Sequence, residues 1–266
     1  MTDTLPPVSE MMKAAGVATQ KSLGQHFLFD MNITDKIARA IPGLEQMNVV
    51  EIGPGAGPLS RSLLRCGAKS LTAVEKDRRM LPILERIKEC FPNMTILEKD
   101  ALKLNREFYE NIPMPRAIAG NLPYNVGTEL LVGWLHDSDL FASMTLMFQK
   151  EVAERIVAKP GSKKYGRLSV LAAMKAEARI LFPVARTAFN PPPKVENAVV
   201  RLIPHGKYPR ELCDRVERAS SVLFANRRKM IRSALPGFDW ASVGLSGAER
   251  AETLTLETLI SIANHL

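Results

Sequence analysis

An α/β chain, with a mostly parallel sheet, an antiparallel edge and a small all-helical domain at its C-terminal end, is what this sequence predicts. Short apolar or β-branched runs alternate with helix-like segments through the first part of the chain, which implies parallel strands joined by crossover helices. A glycine loop, Glu51-Ile-Gly-Pro-Gly-Ala-Gly57, closes the first of those runs. Beyond Pro204 the strand texture stops and only helical pattern remains.

Taken in order, residues 1–20 carry little pattern and are expected to form a mobile arm, with order beginning at Lys21-Ser-Leu-Gly-Gln-His-Phe-Leu28. Ile33, Ile37 and Ala38 share one helical face over residues 30–41, with Asp30 as the cap. Strands are expected at 48–52, 71–75, 94–98, 116–119 and 143–148, and helices near 58–66, 77–90, 126–136 and 150–158. Arg179-Ile-Leu-Phe-Pro-Val and Ala198-Val-Val-Arg-Leu-Ile read as two more strands, pairing antiparallel at the sheet edge around the proline-rich loop 189–194. Helices at about 210–225, 227–235 and 252–265 complete the chain. The expected division is therefore a sheet domain over 21–204 and a helical domain over 205–266.

An apolar fraction of 46% and a charged fraction of 24% are those of an ordinary globular protein, so disorder is not indicated. No apolar run reaches the roughly 18 residues of a membrane span, and the opening MTDTLPPVSE has no secretory or transit character. A monomer in the cytoplasm, without a membrane partner, is the expectation. Cys66, Cys90 and Cys213 are odd in number and never closely paired, and the four histidines are scattered, so no disulfide framework and no metal are expected.

Charge is regional. Residues 150–232 hold 19 Lys or Arg against 7 Asp or Glu, while the whole chain carries only +8. Any one cluster, such as Arg227-Arg228-Lys229 with Arg232, also fits the solvated face of a helix. A bias over a third of the chain fits a phosphate-binding footprint better.

Gly53, Gly55 and Gly57, at every second position after a strand, allow a sharp turn and close approach of backbone to a ligand. A dinucleotide fingerprint would place its third glycine where Pro58 stands, so a nucleoside without pyrophosphate, S-adenosylmethionine, is the better cargo. Glu75 at the end of the second strand suits both ribose hydroxyls, and Asp100 after the third suits the cofactor's adenine amine. Asn121-Leu-Pro-Tyr124 follows the fourth. The Asn121 side-chain oxygen and the Leu122 carbonyl are two acceptors for the hydrogens of an exocyclic amine, Pro123 sets the turn, and Tyr124 offers a face to the base. Phe189 in Phe-Asn-Pro-Pro-Pro-Lys194 is a candidate for the other face. Together these point to methyl transfer onto an amino nitrogen.

GQHFL at 24–28, EIGPGAG at 51–57, NLPYN at 121–125, QKEVAERI at 149–156, YGRLSV at 165–170, FNPPPKVENAVVRL at 189–202 and NRRKMIRSAL at 226–235 give the chain a resemblance to the KsgA family of ribosomal RNA adenine N6,N6-dimethyltransferases. The likeness runs from about residue 20 to the end. It implies a Rossmann-like class I methyltransferase domain with a helical RNA-binding domain. It also implies dimethylation of two adjacent adenosines near the 3′ end of 16S rRNA in an assembling small subunit. By resemblance, His26 and Leu28 join Gly53, Glu75, Asp100 and Asn121 at the cofactor; from the regional charge, Lys194, Arg227, Arg228, Lys229 and Arg232 are expected to face RNA. Position 26 is often asparagine in the family, and Glu196-Asn197 replaces a common Asp-Ser pair.

Three rivals share parts of this pattern. A 23S rRNA methyltransferase of the antibiotic-resistance type shares the cofactor loop, although NLPYN and NRRKMIRSAL favour the small-subunit enzyme. An assembly factor with the same fold would not need Glu75, Asp100, Asn121 and Tyr124 together. A protein-amide methyltransferase would not need the regional positive charge.

Overall fold

A computed structural model of the chain describes residues 5–17, 26–226 and 229–266. These residues divide into two units. The first takes the described chain up to Ala153 together with Ile180–Ile203, and the second takes Glu154–Arg179 with Pro204–Leu266.

The first unit begins with α1 (Val8–Ala14), β1 (Phe27–Leu28), α2 (Met31–Arg39), β2 (Asn48–Ile52) and α3 (Pro58–Arg65). It continues through β3 (Ser70–Glu75), α4 (Leu81–Cys90), β4 (Met94–Glu98), α5 (Arg106–Glu110), β5 (Arg116–Asn121), α6 (Gly127–His136) and β6 (Ser143–Gln149). The chain leaves along α7 (Lys150–Ile156), forms α8 (Arg167–Lys175) in the second unit, and returns along β7 (Ala176–Val184) to β8 (Phe189–Asn190) and β9 (Asn197–Pro204). It ends in α9 (Arg210–Leu223) and α10 (Leu256–Asn264).

Seven strands form one sheet in the order β4-β3-β2-β5-β6-β9-β7. The five strands from β4 to β6 are parallel, and β9 runs antiparallel to β6 with Thr145 opposite Arg201. Every residue of β2 is buried, as both faces of a covered parallel sheet require. Strand order reverses between β2 and β5, so the loops that follow them part at the carboxyl edge and leave a crevice. Helix boundaries follow local chemistry. Asp30 caps α2 by accepting from the Asn32 N–H at 2.9 Å, and Pro58 opens α3, where a missing N–H costs nothing.

Three expectations need correction. Residues 1–20 are not an arm over their described part, residues 5–17, because α1 docks on the main core. Val8, Met11 and Met12 lie on one helical face and are buried there, and the Arg61 guanidinium donates to the carbonyls of Leu5 (3.1 Å) and Pro6 (2.6 Å). Three apolar positions in one short helix are too few for periodicity to register.

The helical domain does not begin at 205. Residues 154–179 belong to it, because Tyr165, Val170 and Met174 share a core with Val216 and Leu223 of α9 and Leu259 and Ile262 of α10. Helix α8 buries residues on most of its faces, so it has no stripe to read.

The helix expected over 227–235 is also absent from its described part. Met230 is extended and bridges Arg250, while the N–H groups of Ile231 and Arg232 donate to Glu249 (2.9 Å) and Gly247 (3.0 Å). With those donors committed elsewhere, only a 3₁₀ turn, Ile231–Ser233, forms. Arg227 and Arg228 lie outside the described residues.

Because Met11 is 1% exposed, Met11→Ala should lower the unfolding free energy by about 2–5 kcal/mol, the usual cost of truncating a buried side chain. A denaturant midpoint unchanged by the substitution would contradict the docking of α1.

Candidate active site

A cleft of about 730 Å³ opens at the carboxyl edge of the sheet, within the size range of small-molecule sites. His26, Leu28, Gly53, Gly55, Glu75 and Asp100 all line it. Asn121, Leu122, Pro123 and Tyr124 do so as well. Residues from five separate stretches of the sequence thus meet on one surface.

Glu75 organises the floor. It is 7% exposed, and its two carboxylate oxygens accept from the N–H of Gly55 (2.9 Å) and of Asp77 (2.8 Å). Burial pushes its pKa up, and the two backbone donors pull against that shift. A carboxylate oxygen has capacity for more than one donor, so the same group can still accept ribose hydroxyls. Asp100 is more open. It accepts from the Leu102 N–H at 3.1 Å and pairs with Lys76 at 3.7 Å. Leu102 also lines the cleft with 40% of its surface exposed, an apolar platform beside the acid.

The glycines have different tasks. Gly55 adopts φ +57°, and a Cβ there would come within 2.8 Å of the Phe27 ring, so its bareness lets β1 approach the loop. Gly57 (φ +83°) does not line the cleft, which corrects its expected cofactor contact. A Cβ at that position would collide with Ile87 and press on Leu84, so this glycine serves the packing of α3 against α4. Phe189 also departs from expectation. Its pairing with Leu28 in the β1–β8 ladder places it in the main core at 4% exposure, and it does not line the cleft. In this structure its ring packs within the main core.

On the loop after β5, the Asn121 amide nitrogen donates to the His26 carbonyl at 3.3 Å, which leaves the amide oxygen as the free end of the side chain. The Pro123 carbonyl accepts from Val126 (3.2 Å) and Gly127 (3.0 Å), closing the turn into α6. Tyr124 is half-buried, and burial pushes its phenol pKa up. Its ring stacks on that of His26 with centroids 5.7 Å apart and planes 29° apart.

Glu51, which opens the glycine motif, is a further residue of the cleft. It is 1% exposed, lines the cleft, accepts from the Ser60 hydroxyl, and has its pKa pushed up to about 8 by burial. The signal for it was a single acid inside an otherwise apolar strand.

Outside the cleft, Lys194 is exposed in the loop after β8, and Lys229 and Arg232 are exposed in the second unit. Glu196 pairs with Lys150 at 2.9 Å, and Asn197 is fully buried at the start of β9. Among the described residues no helix is long and apolar enough to cross a membrane, and no three His, Cys, Asp or Glu side chains are grouped to hold a metal.

A Rossmann-like sheet with a nucleoside-sized cleft and an Asn-Leu-Pro-Tyr loop at its switch point defines the chain as a class I methyltransferase. The family model for ribosomal RNA adenine dimethylase matches residues 16–266, and the chain belongs to that family. It is 46% identical to a ribosomal RNA small subunit methyltransferase A of Azorhizobium caulinodans, over 98% of this chain and 93% of the relative. Identity to the protein of the same name from Agrobacterium fabrum is 44%, over 99% of both chains. Among solved structures, a dimethyladenosine transferase from Plasmodium falciparum superposes with TM-score 0.75 at 25% identity, covering 89% of this chain and 96% of that one. The 23S rRNA methyltransferase ErmE, at TM-score 0.73 and 24% identity over 90% and 99% of the two chains, shares the fold.

The Glu51 carboxyl gives a test of the buried floor. Its folded pKa of about 8 exceeds the ordinary 4.5, so the native state holds the proton more tightly than the unfolded chain does. The stability this contributes is complete below about pH 4.5 and is lost as pH rises through about 8. Glu51→Gln should therefore gain in Tm relative to wild type between pH 5 and pH 8.5. A Tm difference independent of pH would mean that Glu51 titrates as an ordinary surface acid.

Proposed function

We propose that this enzyme, an rRNA adenine N6,N6-dimethyltransferase using S-adenosylmethionine, modifies two adjacent adenosines near the 3′ end of 16S rRNA in the assembling small subunit, in the cytoplasm. The observation that carries the reading is the convergence of the buried Glu75 carboxylate, Asp100, Asn121 and Tyr124 on one cleft.

The cleft fits the cofactor by the chemistry of its donors and acceptors. Glu75 would hold the ribose hydroxyls, Asp100 the adenine amine, Leu102 one face of that adenine, and Gly53, Leu28 and the His26 backbone the remainder. The bound cofactor supplies an electrophilic sulfonium methyl group.

The chain's own part in the reaction is positional. An exocyclic adenine amine is a poor nucleophile because its lone pair is delocalised into the ring. Asn121 accepts one amine hydrogen through its free amide oxygen and Leu122 accepts the other through its carbonyl, which favours a tetrahedral nitrogen with a directed lone pair. Both interactions strengthen as the nitrogen gains positive charge, so they lower the barrier more than they tighten ground-state binding. Tyr124 stacks on the extruded base. An amide is not a base, and the proton leaves after transfer, once the nitrogen has become acidic.

The exposed Lys229 and Arg232, with Arg227 and Arg228 beside them in sequence, fit the phosphate backbone of the subunit. They provide affinity without sequence information.

Incubation with labelled S-adenosylmethionine and undermethylated small subunits should place label on two adjacent adenosines of 16S rRNA. Label on the large subunit would redirect the assignment. In the same assay Asn121→Ala should slow single-turnover transfer by about 10²–10³, as loss of one transition-state hydrogen bond does. A rate within threefold of wild type would remove Asn121 from the site. Neutralising Arg227, Arg228 and Lys229 together should weaken subunit binding and flatten its log–log salt slope by about 0.7–0.9 per lost phosphate contact. An unchanged slope would place the phosphate contacts elsewhere.

A further inference from the structure

The proline-rich loop after β8 reaches the catalytic centre through a route that does not involve the Phe189 ring. The Pro191 carbonyl lies 2.7 Å from His26 Nδ1, and a carbonyl can only accept, so His26 carries its proton on Nδ1 and donates it there. That bond sets the plane of the imidazole. The ring so oriented stacks on Tyr124 at 5.7 Å and 29°. On its backbone side, the His26 carbonyl receives the Asn121 amide. One residue therefore touches both Asn121 and Tyr124, and it does so from a register fixed by the pairing of Phe27 with Asn190 and of Leu28 with Phe189.

We propose that His26 is a positioning residue for base stacking: the Pro191 carbonyl fixes its imidazole, and the imidazole backs the Tyr124 ring so that the opposite face of the phenol is presented to the target adenine. The inference rests on the reading of Tyr124 as the base-stacking residue. Its physical basis is rotamer restriction. The Tyr124 phenol approaches Asn197 at its hydroxyl end, which does not fix the tilt of the ring, and only one tilt presents the ring to a base held by Asn121 and Leu122. A stacked neighbour whose own plane is locked by a hydrogen bond favours that orientation before substrate arrives.

Single-turnover methyl transfer to undermethylated small subunits at saturating cofactor tests the proposal in the set His26→Ala, His26→Asn, His26→Phe, Tyr124→Ala and the double variant His26→Ala with Tyr124→Ala. An aromatic pair of this kind corresponds to about 3–10-fold in an equilibrium between orientations. His26→Ala and His26→Asn should each slow transfer by about that factor, and His26→Phe, which keeps a ring, should recover most of the loss. Cofactor affinity by calorimetry should stay within twofold in all three, because the backbone of residue 26 is retained. In the Tyr124→Ala background, His26→Ala should cost nothing further.

An equal further loss in that background would overturn the proposal, since the effect would not pass through Tyr124. A fall in cofactor affinity matching the fall in rate would also overturn it, assigning the imidazole to the cofactor instead. If Tyr124→Ala itself left the rate unchanged, the stacking role of Tyr124 would fall and the role of His26 with it. That outcome is distinct from an intact Tyr124 effect combined with an additive His26 loss, which would remove His26 alone.

Discussion

A carboxylate taken out of water must find donors, and Glu75 finds them in the backbone of the two loops it has to hold together. Its contacts with the N–H groups of Gly55 and Asp77 tie the turn after β2 to the turn after β3. The glycine loop would otherwise be a flexible connection with little reason to hold one shape, because three glycines at positive φ have no side chains of their own to pack. The desolvation that raises the pKa of Glu75 is the cost of this arrangement, and the paired N–H groups offset it. The cleft opens beside these joined turns, at the carboxyl edge where strand order reverses between β2 and β5. Glu51, buried in β2, has its pKa raised mainly by burial, and the Glu75 charge adds to that rise.

Around that floor the site is assembled by small contacts between distant segments. Phe27 enters only because Gly55 has no Cβ, and its neighbour His26 is then placed against Tyr124 and Asn121. Phe189 and Pro191 belong to one short loop yet act in different ways. The first fills the core under β1, and the second holds an imidazole by its carbonyl. Aromatic character in a motif does not reveal which of these a residue will do, because the direction of the side chain depends on the strand pairing.

The second unit follows another logic. Its core is drawn from α8, α9 and α10, and the return of the chain through β7, β8 and β9 separates the first of these from the other two in sequence. Positive charge is spread over this unit and over the excursion of the chain that joins it, so it has no single helical face. Lys229 and Arg232 stand on an irregular segment in which the N–H groups of Ile231 and Arg232 donate to Glu249 and Gly247. Such a surface can contact phosphates at several angles, which suits affinity without base readout.

Much of this protein was determined by the sequence on its own. Alternating apolar runs specify the parallel sheet because side chains buried on both faces leave a continuous apolar signature, and Asp30 and Pro58 mark helix starts by chemistry local to a turn. The carboxyl-edge acids Glu75 and Asp100 and the Asn121–Tyr124 loop were legible because a strand followed by a polar, turn-forming residue places that residue at the sheet edge. What only the tertiary structure decided is which groups meet across the chain. The docking of α1, the transfer of residues 154–179 to the helical unit, the packing roles of Gly57 and Phe189 and the contact of His26 with Tyr124 all depend on partners many positions away. Local periodicity reports which face of an element is apolar, but it carries no information about what that face will touch.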